Sequence, residues 1–280
     1  MKLVHISDIH IHEEPILGRE PIAQFEAVLY HVGKFHSDAD RIVITGDLTH
    51  YGAAQAYDKL QSLLRLHPFH GDQAPRLLIG NHDDRTTFLQ HFPDAQTDEN
   101  GFVQWTEDTP VGRFIYMDTV ENGHHHGVYC EKRQAWLASQ LARARADGIA
   151  VFLFMHHNPV KVHVANADLI GIVEVREMQA MLGEYRDIIR HIFFGHCHYT
   201  LSGSVMGIPF AAPRSTNHPC WPDFSGDPAR MGYGDLKCDY NVCFISDDEI
   251  AIHSIDFELE DRVRWMVTGA DGWVEEEKVQ

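Results

Sequence analysis

Disulfide bridges and membrane spans are the first features that this sequence argues against. Its 280 residues include 5 cysteines, an odd number with no Cys-x-x-Cys pair. This usage favours a reduced, intracellular protein over a disulfide scaffold. No apolar run approaches the roughly 18 residues that a membrane-spanning helix needs, and we expect no signal peptide before the first predicted strand. We therefore expect a cytoplasmic protein without a membrane partner.

Positive charge is also scarce in this chain. There are 23 Lys and Arg residues against 41 Asp and Glu residues, which gives a formal net charge of −18. Binding to a nucleic-acid polymer is therefore disfavoured, because neutralisation of phosphates by basic side chains is the main source of such affinity. A small anionic substrate still fits this composition if a bound metal supplies local positive charge.

The hydrophobic pattern predicts one domain over residues 1–257 and an acidic tail over residues 258–280. Apolar runs alternate with stretches of helical periodicity, which is typical of an α/β fold. Residues 160–172 are predicted to form a long loop. The predicted helices cover residues 22–35, 53–66, 86–92, 131–146 and 175–185.

Residues 217–237 form an irregular segment rich in Gly, Pro and Asp, and we interpret it as an insertion. Its large apolar side chains are Trp221, Phe224, Met231 and Tyr233. That is more apolar surface than a loop without a function needs. We expect the segment to cover a substrate pocket or to form an intersubunit contact, which leaves a homo-oligomer open.

Polar motifs follow five predicted buried strands at the point where each strand ends. Open α/β sheets bind their ligands at the carboxyl edge of the strands. We therefore expect these side chains to converge if the strands lie in neighbouring sheets that share this edge. The motifs are Asp8-Ile9-His10, Gly46-Asp47, Gly80-Asn81-His82-Asp83, His156 and Gly195-His196-Cys197-His198.

These motifs supply the side chains of a metal site. Asp8 and His10 are two residues apart, and in extended backbone this spacing would point both side chains to one side. Asp47 can bridge two cations because its carboxylate offers several lone pairs. The remaining candidate ligands are Asn81, His156, His196 and His198. Oxygen and imidazole ligands of this kind suit Zn, Mn, Fe or Co.

The motif set resembles the calcineurin-like metallophosphoesterase superfamily over roughly the first 200 residues, with no ligand missing. Within it, the chain looks like the bacterial class III cyclic nucleotide phosphodiesterases and glycerophosphodiesterases. That closer resemblance comes from the early Asp8-Ile9-His10 motif, the Met155-His156-His157-Asn158-Pro159 run and the overall length. The resemblance implies an α/β fold in which two facing mixed β-sheets are flanked by helices.

The resemblance also implies a dinuclear centre in which Asp47 bridges two metal ions. One ion would be held by Asp8, His10 and His198, and the other by Asn81, His156 and His196. Two such ions would turn a bridging water into a hydroxide nucleophile and stabilise the phosphoryl charge. The implied activity is hydrolysis of small phosphodiesters, such as cyclic nucleotides or glycerophosphodiesters. Phosphomonoesterase activity on the same metals, and a non-catalytic metal-binding scaffold, are the alternatives.

The resemblance makes His82 a candidate catalytic residue, together with Asn81 and Asp47, which are also candidate ligands. It would contact the scissile phosphate or protonate the leaving oxygen. The alternative is that His82 only orients a ligand. We expect Asp83 to hydrogen-bond an imidazole in support of the site.

Other histidines near these motifs are expected to stay outside the metal site. His157 should point away from His156 by strand alternation, and Cys197 should be buried for the same reason. The loop at residues 124–126 contains three histidines and is expected to be solvated. His163 and Asn166 are weaker candidates for the substrate pocket.

Overall fold

Two mixed β-sheets form the centre of the structure. The computed structural model describes residues 1–269 and 272–275. The strands are β1 (Lys2–Ile6), β2 (Arg41–Thr45), β3 (Arg76–Leu78), β4 (Trp105–Thr109), β5 (Gly112–Tyr116), β6 (Val151–Phe154), β7 (Ile189–Phe193), β8 (Leu201–Val205), β9 (Ile208–Ala212), β10 (Cys220–Trp221), β11 (Gly232–Tyr233), β12 (Tyr240–Ile245), β13 (Ile250–Ile255), β14 (Met266–Gly269) and β15 (Gly272–Glu275). The α-helices are α1 (Pro21–Phe35), α2 (Ala54–Leu66), α3 (Arg85–His91), α4 (Glu131–Asp147), α5 (Ala165–Leu169) and α6 (Val175–Glu184).

The strand order brings the predicted motifs to one edge of each sheet. The first sheet has the order β13-β12-β1-β2-β3, and the second has the order β4-β5-β6-β7-β9-β8. Strands β1, β2 and β3 are mutually parallel, and so are β5, β6 and β7. Because parallel strands end on the same side, the loops that follow them meet there.

Apolar side chains fill the space between the sheets and the space under the helices. Phe114, Phe152 and Phe193 of the second sheet form one buried cluster with Leu3 and Val43 of the first. Helices α1 and α2 pack on the outer face of the first sheet, and α4 and α6 pack on the second. The predicted fold of two facing sheets flanked by helices is confirmed.

The helix predictions are accurate and one loop prediction is not. All five predicted helices are present, each within one residue of the predicted bounds. The segment at residues 160–172 is not wholly a loop, because Ala165–Leu169 forms the short helix α5. Five residues are too few for helical periodicity to be visible in the sequence.

The predicted acidic tail is more structured than the sequence suggests. Phe257–Arg262 forms a 3₁₀ helix, and β14 pairs with β15 as an antiparallel hairpin. Residues 270–271 and 276–280 of the predicted tail lie outside the described residues. The division between a domain over 1–257 and a tail stays a prediction. None of the helices in the described ranges is long and apolar enough to cross a membrane.

Candidate metal centre

In four of the predicted motifs, the first ligand lies two or three residues after the end of a buried strand. β1 ends at Ile6, two residues before Asp8, and β2 ends two residues before Asp47. β6 ends two residues before His156, and β7 ends three residues before His196. The strands belong to both sheets, so the motifs meet at the shared edge between them.

The backbone is left-handed at five of the seven predicted ligands, and the prediction of extended backbone at Asp8 and His10 is wrong. The φ angle is 56° at Asp8, 48° at His10, 48° at Asp47, 67° at His196 and 58° at His198. Such values are uncommon for residues other than glycine and carry a strain of roughly 1–3 kcal/mol each. Residues two apart converge here because the chain turns, and not because of strand pleating. Clustered strain of this kind is typical of a functional site.

One group of donor atoms gathers around His10. Its Nε2 lies 3.1 Å from Nε2 of His198 and 3.5 Å from Oδ2 of Asp47. Nε2 of His198 lies 3.4 Å from Oδ1 of Asp8. One ligand atom from each of these four buried residues lies within 4.8 Å of all the others. Nitrogen and oxygen donors that converge in this way match the ligands of a transition-metal ion.

A second group of donor atoms gathers around His156. Its Nε2 lies 3.0 Å from Oδ1 of Asn81, 3.3 Å from Oδ1 of Asp47 and 3.2 Å from Nδ1 of His196. Asp47 therefore presents Oδ2 to the first group and Oδ1 to the second. All seven predicted ligands come together, and one carboxylate lies between the two groups.

Backbone carbonyls orient three of the imidazoles. Nδ1 of His156 lies 2.7 Å from the carbonyl oxygen of Thr45, and Nδ1 of His198 lies 2.9 Å from that of His218. Nε2 of His196 lies 3.0 Å from the carbonyl oxygen of Ile170. A carbonyl can only accept, so each of these nitrogens carries the proton. The opposite ring nitrogen, which faces the donor group, keeps its lone pair for a metal.

The charges within the site favour a bound cation. Burial opposes ionisation of Asp47, yet the imidazoles of His156 and His82 hold the pKa of its carboxyl well below the usual value. Burial would also lower the pKa of His156, but the Asp47 carboxylate raises it to about 9. Burial, and then the neighbouring His218, lower the pKa of His10 well below the ordinary value. A buried carboxylate that stays ionised at the centre of several imidazole nitrogens is a strong attractor for a cation.

The glycine of the third motif makes room for the shared carboxylate. A Cβ atom on Gly80 would overlap Oδ1 and the backbone nitrogen of Asp47, and it would lie 2.8 Å from Cε1 of His156. The backbone N–H of Gly80 donates to Oδ2 of Asp83 over 2.9 Å. Glycine is therefore needed here for close approach and not only to end the strand.

His82 is held in one orientation beside the donor groups. Its backbone N–H donates to Oδ1 of Asp47 over 2.9 Å. Its Nδ1 lies 2.8 Å from the carbonyl oxygen of His50, and its ring stacks on the ring of His50 with 5.1 Å between centroids. Nδ1 therefore carries a proton, and Nε2 is the nitrogen left for a ligand in the cavity that His82 lines.

Asp83 supports the loops of the site, and the prediction that it bonds an imidazole is wrong. Its carboxylate accepts hydrogen bonds from the backbone N–H groups of Leu48 and Gly80 and from the hydroxyl of Tyr57. Burial, and then the nearby Asp47, raise the pKa of Asp83 to about 6. It fixes the two loops that carry Asp47 and Asn81.

The expected direction of the His157 side chain is also wrong. β6 ends at Phe154, so strand alternation does not extend to His157. The ring lies 4.6 Å from that of His196, centroid to centroid. However, Nδ1 lies 2.7 Å from Oγ1 of Thr119, and Nε2 lies 3.2 Å from the carbonyl oxygen of His125. Because both ring nitrogens already have protein partners, His157 is not expected to bind a metal. The expectation that it is no ligand therefore stands, but on hydrogen bonding and not on strand alternation.

One histidine of the 124–126 loop belongs to the site, contrary to expectation. His125 is exposed, but its Nδ1 lies 3.1 Å from Nδ2 of Asn81. Its ring centroid is 5.4 Å from that of His82. His124 is exposed as predicted. The sequence gives no sign of this difference, because it depends on how the loop folds back over the Asn81 motif.

Two further histidines beside the ligands were not predicted. Nδ1 of His50 lies 3.4 Å from Nδ1 of His10. The ring of His218 lies 4.5 Å from that of His10 and 4.4 Å from that of His198, centroid to centroid. Both residues lie in loops and not directly at a strand end. The only signal was that His50 stands three residues after Asp47 in the same loop.

A cavity of about 360 Å³ opens over the two donor groups. Segment 217–237 contributes Trp221 and Met231 to its wall, which fits the pocket-covering alternative. Asn166 lines the cavity as predicted, whereas His163 is not part of its lining. Cys197 is 4% exposed, and its predicted burial is confirmed.

Comparison with known families gives a match over most of the chain. A family model described as calcineurin-like phosphoesterase matches residues 1–199. Those residues contain all seven predicted ligands.

Named relatives align with most of the chain. A Rhodopseudomonas palustris protein named "Probable cyclic nucleotide phosphodiesterase" is 32% identical over 262 residues, which cover 92% of this chain and 93% of the relative. A Mycobacterium tuberculosis cAMP/cGMP dual specificity phosphodiesterase is 31% identical, covering 76% of this chain and 67% of that protein. A glycerophosphodiester phosphodiesterase of Enterobacter lignolyticus is 29% identical, covering 71% of each.

A similar fold occurs among solved structures. A dimetal phosphatase from Danio rerio superimposes with a TM-score of 0.69. The alignment covers 92% of this chain and 96% of that one, at 12% identity. At this identity the similarity concerns the fold alone.

Proposed function

We propose that this chain, which belongs to the calcineurin-like phosphoesterase family, is a two-metal hydrolase of small phosphodiesters. One observation carries the proposal: Asp47 presents one carboxylate oxygen to His10 and the other to His156, within two separate groups of buried donors. A structural site for a single ion needs no carboxylate shared in this way. Two ions side by side are the usual arrangement for phosphoryl transfer to water.

The donor set fits two transition-metal ions. We propose that Asp8, His10 and His198 bind the first ion. The second ion would be bound by Asn81, His156 and His196, and Asp47 would bind both ions. Four imidazoles among seven ligands favour Zn, Mn, Fe or Co over Mg or Ca. When bound, two such ions supply Lewis-acid stabilisation of phosphoryl charge and a hydroxide nucleophile at neutral pH.

His82 is the proposed catalytic side chain of the protein itself. Its Nδ1–H is committed to the carbonyl oxygen of His50, so a proton for the leaving oxygen would have to come from Nε2. Donation from Nε2 requires the imidazolium form, in which both ring nitrogens carry a proton. In the neutral form, Nε2 can only accept a hydrogen bond.

The substrate class comes from the size of the cavity and from the named relatives. A volume of about 360 Å³ suits a small molecule and not a polymer. The relatives are named for cyclic nucleotides and for glycerophosphodiesters, which are both diesters. We propose the same bond type here. The cytoplasmic location stays a prediction from the sequence.

Two model substrates and metal reconstitution test the proposal. We expect the protein reconstituted with Mn, Zn, Fe or Co to hydrolyse bis(p-nitrophenyl) phosphate. It should act on p-nitrophenyl phosphate with a markedly lower kcat/KM. A reversed preference would make the protein a monoesterase. Binding of two metals without hydrolysis of either substrate would make it a scaffold.

A further inference from the structure

The outer wall of the cavity carries an aromatic side chain that the metal chemistry does not need. Trp221 lines the same cavity as Asp47, Asn81 and His198. It is 65% exposed, so a large part of the indole is open to a ligand. An exposed tryptophan in a substrate cavity offers a flat surface for a planar group.

The position of Trp221 relative to the donor groups is fixed by hydrogen bonds. The backbone N–H of Cys220, the preceding residue, donates to the carbonyl oxygen of His198 over 2.9 Å. Nδ1–H of His198 in turn donates to the carbonyl oxygen of His218 over 2.9 Å. From standard backbone dimensions, the Cα of Trp221 lies within roughly 8 Å of the His198 carbonyl oxygen. That span is short enough for one small substrate to reach both.

The hairpin that carries Trp221 holds it in place. Trp221 pairs with Gly232 in the antiparallel pair β10–β11. A Cβ atom on Gly232 would lie 2.8 Å from both the Cβ and the carbonyl oxygen of Trp221. The strands therefore approach closely at this pair, and a glycine permits it. The backbone that carries the indole is therefore in place before a ligand binds, which lowers the entropic cost of binding.

The other groups on this wall suit a heterocyclic ring. Leu17 and Met231 are apolar, partly exposed and part of the cavity lining. Asp223 and Arg230 also line the cavity, with 3.5 Å between Oδ2 and Nε, and both offer polar atoms to the edge of a ring. A nucleobase has a π-face and polar edges, whereas a glycerol group has no π-face to stack and no positive charge to place over the indole.

We propose that Trp221 is a specificity-determining residue that stacks on a nucleobase, so that the preferred substrates are nucleoside phosphodiesters and not glycerol-type diesters. This inference rests on the proposed phosphodiesterase function of the same site. In this arrangement, the two donor groups hold the phosphate through the bound metals, and the 217–237 segment contacts the base.

A matched pair of substrates tests the inference. Adenosine 3′,5′-cyclic phosphate and the methyl riboside 3′,5′-cyclic phosphate have the same scissile bonds and differ only in the base. We expect the metal-reconstituted protein to prefer the adenosine compound by about 5- to 150-fold in kcat/KM, which is the scale of one base–aromatic stack. Trp221→Ala should remove most of this preference and leave the methyl riboside rate within about twofold. Trp221→Phe should keep part of the preference.

Phe224→Ala is the control variant. Phe224 lies in the same segment and is 72% exposed, but it is not part of the cavity lining. Its substitution should leave the substrate preference unchanged. Equal rates on both substrates in the wild type, or an unchanged preference in Trp221→Ala, would overturn the inference. So would hydrolysis of bis(p-nitrophenyl) phosphate with no action on either cyclic phosphate, and this result would leave the proposed function standing.

Binding supplies a readout that does not require turnover. Calorimetry with adenosine 5′-phosphate and ribose 5-phosphate on the metal-loaded protein should show tighter binding of the nucleotide, and Trp221→Ala should reduce the difference. Equal affinities would overturn the inference. A clear difference in a protein that hydrolyses no diester would support base recognition and refute the phosphodiesterase proposal.

Discussion

Substitution of Gly80 by alanine should disable the metal centre without removing a single ligand. The new Cβ would overlap the Oδ1 and backbone nitrogen of Asp47 and would lie 2.8 Å from Cε1 of His156. Ordinary contacts between such atoms are about 3.5–4.0 Å. The Asp47 carboxylate or the Gly80 loop must therefore move by about 1 Å. A misplacement of this size can lower activity about 100-fold.

The assay for Gly80→Ala combines kcat/KM on bis(p-nitrophenyl) phosphate with metal content per chain. We expect a loss of about 100-fold or more, together with weaker retention of both ions, because Asp47 is shared. Thermal unfolding separates this local effect from a failure to fold. Gly234→Ala is the matched control, since no heavy atom lies within 4 Å of its would-be Cβ. A Gly80→Ala variant that keeps two tightly bound ions and near wild-type activity would refute the packing argument.

Two further predictions concern the histidines around the centre. If Nε2 of His82 protonates the leaving oxygen, His82→Ala should lose about 10²- to 10⁴-fold in kcat/KM on an alkyl diester and much less on an aryl diester; equal losses on both would leave His82 only a positioning role. Because Nδ1 of His50 lies 3.4 Å from Nδ1 of His10, His50→Ala should weaken metal binding at the His10 site by about 10- to 100-fold. Unchanged metal affinity in a competition titration would argue against that support.

The strand and helix pattern could be predicted from sequence because it depends on local periodicity. Helix α1 illustrates this, since Phe25, Val28 and Val32 repeat at helical spacing and are all buried against the first sheet. The ligand motifs were equally accessible, because each follows an apolar strand and the parallel topology brings strand ends together. Short elements such as α5 were missed, since five residues show no reliable period.

The geometry of the site could not be predicted from local pattern. The left-handed backbone at Asp8 and His196 depends on contacts made across the two sheets, such as the bond from the backbone N–H of His196 to the Asp8 carboxylate at 3.1 Å. Strand alternation failed for His157 because β6 ends earlier than its apolar run suggests. His125 reaches Asn81 only through loop folding, over a separation of 44 residues.

Metal stoichiometry tests the central claim most directly. Equilibrium dialysis followed by elemental analysis should find two ions per chain in the wild type and in Asp223→Ala, which removes a cavity carboxylate outside the proposed ligand set. Asp8→Ala should lose mainly one ion. Asp47→Ala should retain neither tightly, because its two oxygens face the two donor groups separately. Two tightly held ions in Asp47→Ala, or a single ion in the wild type, would contradict a bridged dinuclear centre.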